Sequence, residues 1–232
     1  EEIMKALLCD TFGPPENLIL KEVADLVPAH GQVRIATEAC GVNFPDTLII
    51  ENKYQFKPDL PFAPGGEVTG IVDAVGDGVS QDLLGQPVMC MTLSGGFAEQ
   101  TICKAEDLIA RPSSMPSTVA AGFTMTYGTS MHALKDRGKL QAGETLLVLG
   151  ASGGVGLAAV EIGKAMGAKV IAAASSAEKL AVAKAAGADE LINYSESNLK
   201  EEIKRLTNGL GADVIYDPVG GDLFDQAIRS IA

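Results

Sequence analysis

Two regimes of apolar patterning divide the chain. Up to about residue 110, short apolar runs alternate with polar positions and are cut by Gly, Pro and Asp. This spacing predicts strands over 4–9, 17–23, 32–40, 67–75, 87–91 and 97–103, with turns at Gly13-Pro14-Pro15 and Gly76-Asp77-Gly78. One short helix, 44–51, interrupts them. The first half is therefore expected to be a β domain of barrel type. Residues 112–116 begin and end in proline, and beyond them the apolar period lengthens. A helical run is predicted over 117–137, and helices near 178–186, 199–207 and 222–231 alternate with strands at 145–149, 169–174, 190–194 and 213–217. Such alternation calls for a parallel, doubly wound sheet.

The second half is organised around residues 145–167, TLLVLGASGGVGLAAVEIGKAMG. A β-branched apolar run leads into a glycine-rich turn, then an alanine-rich helix that stops at Gly167, with the strand Lys169-Val-Ile-Ala-Ala-Ala behind it. Strand, glycine turn, helix and strand make the first βαβ unit of a dinucleotide-binding fold. Gly153 and Gly156 fit the second and third glycines of its fingerprint, while Ala151 takes the first glycine's place and Gly150 precedes it. Gly150, Ala151, Ser152, Gly153, Gly154, Val155 and Gly156 are expected to border a pyrophosphate, because the backbone there approaches closely and the helix start offers N–H groups. The alternative is a purely structural turn, which the surrounding βαβ context disfavours.

Composition narrows the class of function. The 232 residues suggest one or two domains. A formal net charge of −12, with no basic cluster, argues against a nucleic-acid partner. The four cysteines, Cys9, Cys40, Cys90 and Cys103, form no CxxC pair, which points to reduced thiols and a cytoplasmic protein. No apolar run is long enough to span a bilayer, and no signal peptide is expected. Met4-Lys-Ala-Leu-Leu reads as a natural start.

Five motifs in order, Gly41-Val-Asn43-Phe-Pro-Asp46, Pro64-Gly-Gly-Glu67-Val-Thr-Gly70, Thr126-Tyr127-Gly128-Thr129, Gly150-Ala-Ser-Gly153-Gly154-Val-Gly156 and Asp217-Pro-Val219-Gly220-Gly221, span nearly the whole chain. The chain thereby resembles the medium-chain dehydrogenase/reductase superfamily, and within it the zinc-free quinone oxidoreductases of ζ-crystallin type. The resemblance implies a GroES-like β-barrel domain over 1–116 and a Rossmann NADP-binding domain over 117–232. The fold class expected is thus α/β plus β. Four strands against the roughly six of a full dinucleotide sheet make the second domain look C-terminally incomplete. The full-length form is expected to be a homodimer.

Metal chemistry is expected to be absent. A catalytic zinc wants three protein ligands, and where zinc relatives carry them this chain has Asn43, Gly66 and Ala121. Cys40 stands three residues too early, and it reads as a small buried hydrophobe. The two histidines, His30 and His132, fall in no ligand motif; His30 reads as a turn residue and His132 as structural.

Cofactor choice turns on the end of the second strand of the βαβ unit. An NAD enzyme carries an acid there to hold the ribose diol, whereas this chain reads Ala172-Ala-Ala-Ser175-Ser176. Ser175, Ser176, Lys179 and Tyr194 are expected around the 2′-phosphate of NADPH. The competing reading makes Ser175 and Glu178 a capping box and Lys179 a solvated residue. Thr126 and Val219 join the cofactor residues by resemblance. The reacting end is expected, again by resemblance, to take Asn43, Asp46, Tyr54 and Tyr127. Asn43 and Asp46 can equally be the cap of the 44–51 helix, and Tyr54 can be loop packing.

The leading expectation is an NADPH-dependent, metal-free reductase passing hydride to a quinone or similar conjugated carbonyl, a small-molecule acceptor. An enal or enoyl-thioester reductase remains open, as does a cofactor-binding structural or regulatory protein with little turnover. Alcohol dehydrogenation is disfavoured, because no ligands hold the metal that would polarise the alcohol.

Overall fold

The computed structural model describes residues 3–232. They separate into one unit ending at Met125 and a second running from Thr126 to Ala232.

The first unit is built on antiparallel strands. β1 (Ile3–Leu8) pairs with β2 (Ile19–Ala24) as a two-stranded sheet. A five-stranded sheet has the order β6-β3-β4-β5-β7, formed by β3 (Gln32–Gly41), β4 (Glu67–Val75), β5 (Pro87–Met91), β6 (Gln100–Lys104) and β7 (Ile109–Ala110). Val33, Ile35, Val68, Val72, Val88, Cys90 and Cys103 fill its core. Gly70 is obligatory on β4: a Cβ there would lie 2.0 Å from the Ala36 carbonyl, beside the bulged part of β3. Helix α1 (Phe44–Ile50) is held by a separate cluster of Cys9, Ile49, Ile50 and Phe62.

Three local expectations for this unit change. The strand predicted from residue 97 begins at Gln100, because the N–H groups of Gly95, Gly96 and Phe97 are spent on the carbonyls of Ala63, Gly65 and Pro64. The strand predicted from residue 17 begins at Ile19, after a 3-10 turn over Pro15–Asn17. The strand β7 escaped prediction, since two residues paired to Val88 and Met89 carry no periodic signal.

The run 117–137 is not one helix. It comprises α2 (Ser117–Ala120), α3 (Thr124–Met131) and a π-helical turn over His132–Arg137. The break falls at Gly122-Phe123, where the Gly122 N–H turns back to Val119. The first unit thus keeps α2 and the start of α3, beyond the proline-bounded stretch at 112–116.

The second unit carries a parallel sheet of order β10-β9-β8-β11, from β8 (Thr145–Leu149), β9 (Lys169–Ala174), β10 (Glu190–Asn193) and β11 (Val214–Tyr216). Successive residues of β8 and β9 point to opposite faces, and both faces are apolar. Leu146, Val148, Val170 and Ala172 pack with Ala159 and Val160 of α4 (Gly154–Ala165) and Ala183 of α5 (Ala177–Ala185). Leu147, Leu149, Ile171 and Ala173 pack with Leu199 and Ile203 of α6 (Leu199–Leu206) and Ala227 of α7 (Asp222–Ile228). The sheet is therefore doubly wound. The chain goes from β8 outward to β9 and β10, then returns to lay β11 on the other side of β8.

Candidate functional site

That reversal beside β8 is a topological switch point, and open α/β sheets bind ligands at the carboxyl ends of such strands. The glycine turn lies there. Gly150 leaves β8 at φ +58°, a left-handed conformation that favours glycine. The buried Ala151 ties its N–H to the Ala173 carbonyl at the end of β9. Gly153 caps α4 without a side-chain bond, so the first N–H groups of the helix have no partner within it. Ser152 is half-buried, Gly153 and Gly154 are exposed, and Val155 is half-buried with its carbonyl bonded to Ser130 Oγ at 2.7 Å. Gly156 explains how the helix starts so close to the strand end: a Cβ there would lie 2.2 Å from the Gly150 carbonyl.

Two expected neighbours close on this turn. Val219 comes from the loop after β11, where Asp217 Oδ1 accepts from the N–H groups of Val219 and Gly220 at 2.8 Å each. Its methyl is 2.9 Å from where a Cβ on Gly150 would stand. The Thr126 methyl stands 3.1 Å from the corresponding position on Gly154. The turn, the helix start and these two side chains form one surface with backbone donors, suited to an anion.

At the end of β9, Ser175, Ser176 and Lys179 gather. Lys179 Nζ donates to Ser175 Oγ at 3.0 Å, and Ser176 Oγ accepts from the Lys179 N–H at 3.3 Å. The α5 cap is therefore Ser176 and not Ser175, so Glu178 takes no part in a capping box. The reason is register: β9 runs through Ala174, which leaves Ser176 as the last extended residue before the helix. Tyr194 follows β10 and ties its N–H to the Ala174 carbonyl, next to this group. Among the described residues the cluster offers hydroxyls and one ammonium and no acid at the strand end.

The first unit holds the other constellation. Asn43, Asp46 and Tyr54 line a small cavity of about 90 Å³ with Ile49, Gly66, Met91, Leu93 and Met125. Larger hollows, each of about 500 Å³, lie around His30 and against β11. The buried Asp46 carboxyl accepts from the N–H groups of Asn43 at 2.8 Å and Gly65 at 3.2 Å. Burial pushes its pKa up, and the backbone donors at Asn43, Gly65 and Gly66 pull the other way. Asn43 and Asp46 thus form the capping box at the start of α1, with the Asp46 carboxyl making its firm bond. The Asn43 amide nitrogen has a second task and donates to Glu67 Oε2 at 2.9 Å. Glu67, only 1% exposed, accepts from the Met125 N–H through Oε1 at 2.9 Å.

Sequence reasoning placed Glu67 in a motif but gave it no role. The available signal was a carboxylate opening an otherwise apolar strand, Glu67-Val-Thr-Gly-Ile-Val, a residue type almost never fully buried unless partnered. The Tyr127 hydroxyl is bonded to Glu161 on α4, which together with burial pushes its pKa up to about 12. Ser130, also missed, bonds Tyr216 Oη at 3.0 Å beneath the glycine turn.

Of the three positions weighed as zinc ligands, Asn43 gives its amide nitrogen to Glu67, Gly66 has no side chain, and Ala121 offers a buried methyl. A side chain at 66 would begin 2.8 Å from the Thr92 carbonyl. Cys40 is half-buried, with its thiol pushed up to about 12, chiefly by burial. No group of three or more His, Cys, Asp or Glu able to hold a metal occurs among the described residues. No helix there is long and apolar enough to cross a membrane.

Comparison with known proteins agrees with this architecture. Residues 29–113 match the family described as "Alcohol dehydrogenase GroES-like domain", and residues 154–232 match "Zinc-binding dehydrogenase". The chain is 40% identical over 230 residues to a "Quinone oxidoreductase-like protein 2 homolog" of Nematostella vectensis, covering 98% of this chain and 62% of that protein. It spans 62 to 65% of the length of the first curated relatives it matches. The quinone oxidoreductase structure from Pseudomonas syringae superposes with a TM-score of 0.92 at 34% identity, over 99% of this chain and 70% of that one. A mycobacterial protein complexed with NADPH gives a TM-score of 0.89 at 34% identity, over 99% and 71%. The chain, a GroES-like unit followed by a Rossmann-type parallel sheet, belongs to the medium-chain dehydrogenase/reductase superfamily, in its quinone oxidoreductase type.

Proposed function

We propose that this protein is an NADPH-dependent reductase that passes hydride to a quinone or a similarly conjugated carbonyl without a metal. The observation that carries the reading is Lys179 folded onto Ser175 at the end of β9, where an acid selecting NADH would stand. The NADPH complex of the mycobacterial relative supports it. In this reading the turn from Gly150 to Gly156, with Thr126 and Val219, holds the pyrophosphate and the adjoining part of the cofactor. Ser175, Ser176, Lys179 and Tyr194 hold the 2′-phosphate by charge-assisted and neutral hydrogen bonds. The nicotinamide, when bound, supplies the hydride. Asn43, Asp46 and Tyr54 set the position of the acceptor's reacting end, and Ile49, Met91 and Leu93 keep its surroundings apolar. At about 90 Å³ that cavity admits a reacting group and not a whole ring system. Tyr127 stands on α3 with its hydroxyl given to Glu161.

Cofactor oxidation with naphthoquinones, 2-alkenals and crotonyl thioesters, and with NADH as control, tests the reading. Quinones should turn over fastest, with a rate that survives chelator treatment. Lys179→Ala and Tyr194→Phe should weaken NADPH more than NADH. A contact to the 2′-phosphate is worth roughly 1.5–3 kcal/mol, about tenfold or more in affinity. Equal affinity of the unmutated protein for both cofactors defeats the specificity assignment. Faster turnover of alkenals or thioesters moves the acceptor to a carbon–carbon double bond.

A further inference from the structure

The Asn43 side chain can face the cavity in two ways, and they are chemically opposite. An amide presents either two donors or an acceptor with two lone pairs. Its partner, Glu67, decides between them. A carboxylate only accepts, and one Glu67 oxygen already takes the backbone N–H of Met125. The other oxygen, 2.9 Å from Nδ2, therefore needs the amide's donor end. Asn43 Oδ1 is then turned toward the Asp46 N–H in the capping box, but that N–H is already given to the Asn43 backbone carbonyl at 3.0 Å. Oδ1 thus keeps lone-pair capacity, and Asn43 lines the cavity. The arrangement is rigid on every side. Glu67 is 1% exposed, and a Cβ on Gly41 would stand 2.8 Å from its Oε2 and 2.1 Å from the Ala121 carbonyl. Asn43 itself is fixed through its backbone N–H, which the Asp46 carboxyl holds.

We propose that Glu67 is a positioning residue that locks the Asn43 amide with its oxygen toward the cavity, so that the site recognises an O–H or N–H donor on its ligand. This rests on the reading that the acceptor's reacting end lies at that cavity. The specificity that follows is directional. A quinone carbonyl brings only lone pairs and gains nothing from Oδ1. Reduction needs hydride from the cofactor and a proton from water, and the hydroxyl formed when that proton arrives can donate to Oδ1, so the interaction strengthens as the reaction proceeds, which is the kind that raises turnover. A hydroxyl or carboxamide N–H of the cofactor has the same donor chemistry and would instead change cofactor affinity.

The test uses Glu67→Gln, Asn43→Asp and the double variant. In Glu67→Gln the Met125 N–H keeps the oxygen of the new amide, so the NH₂ end of that amide faces Asn43. Asn43 must then reverse and show donors to the cavity. The expected result is a fall in kcat of about tenfold, the scale of one hydrogen bond lost, with little change in cofactor Kd. In Asn43→Asp/Glu67→Gln the hydrogen bond is remade with donor and acceptor exchanged, and an oxygen again faces the cavity. The double variant should regain most of the lost turnover although Asn43→Asp alone does not. A change in NADPH Kd with kcat preserved assigns the donor to the cofactor, keeping the lock but moving its ligand. A double variant no more active than Glu67→Gln overturns the proposal. A readout independent of turnover is the Asn43 side-chain NH₂ signal in the unmutated protein, identified by its loss in Asn43→Asp. It should exchange slowly with water. Exchange at the rate of exposed amides overturns the lock even if the reductase reading stands, and slow exchange upholds it even if no acceptor is reduced.

Discussion

Tyr127 shows how much a single partner changes a side chain. Its phenol donates to Glu161, and that bond, with burial, holds its pKa near 12 against an ordinary value of 10.0. The folded state therefore favours the protonated phenol. The stability this bond contributes is fully present below pH 10 and is lost as pH rises through about 12. Tyr127 should contribute a late step to an alkaline spectrophotometric titration, and Tyr127→Phe should remove that contribution and flatten the stability loss in the same window. A Tyr127→Phe protein with an unchanged titration would show that the Glu161 bond does not form in solution. Legibility at this scale follows chain locality. Asn43 and Asp46 were singled out by resemblance, and their capping relation is written in their spacing. The turn of the Asn43 amide toward Glu67, and of Tyr127 toward Glu161, depends on residues brought close only by folding, and no local pattern records that.

Elements were easiest to read where one apolar period repeats. The βαβ unit was legible almost to the residue: β8 and β9 stand where the apolar runs put them, and α4 begins at the glycines. The short strand β7, the π-helical turn and the split between α2 and α3 were not legible, since their pairing and hydrogen bonding are fixed by neighbours distant in sequence. The start of α4 also separates packing from binding. Gly156→Ala puts a methyl against backbone atoms that cannot yield, so α4 must shift. It should cost roughly 1–3 kcal/mol of stability and weaken NADPH with it. Gly153→Ala meets its nearest atom, the Gly150 carbonyl, at 3.4 Å, an ordinary contact, and its φ of −77° suits alanine. It should change stability by no more than about 1 kcal/mol while still reducing NADPH affinity through lost close approach. Denaturant unfolding and cofactor titration on the pair measure both. Equal stability of the two variants would mean that Gly156 is not the packing point.

For the whole molecule, the division into a β unit and an α/β unit was legible from the change of apolar period, although the division after Met125 lies within a helix that composition assigns to the later half. Within the second unit the β8–β9 and β9–β10 pairings close over short stretches of chain, whereas β11 returns to β8 from Val214 to Leu146, about as far as β6 lies from β3 in the first unit. Thr145 meets Lys169 and Asn193 meets Ala174, so the glycine turn and the Ser175–Lys179 cluster come from one contiguous stretch. In the first, Gln32 must find Lys104 before the five-stranded sheet is complete. Closing a longer loop costs about 0.6 kcal/mol for each doubling of its length. The difference is on the order of 1 kcal/mol per closure, enough to order events by several-fold and no more. Pulse hydrogen exchange during refolding should therefore find the amides of Val148 and Ile171 protected before those of Ile35 and Ile102, and simultaneous protection would contradict this order. On the function proposed above, a dinucleotide added at the start of refolding would then meet the proposed phosphate-binding surface on a half-made chain. The cofactor would act as a template that selects correctly wound sheets before the β unit closes.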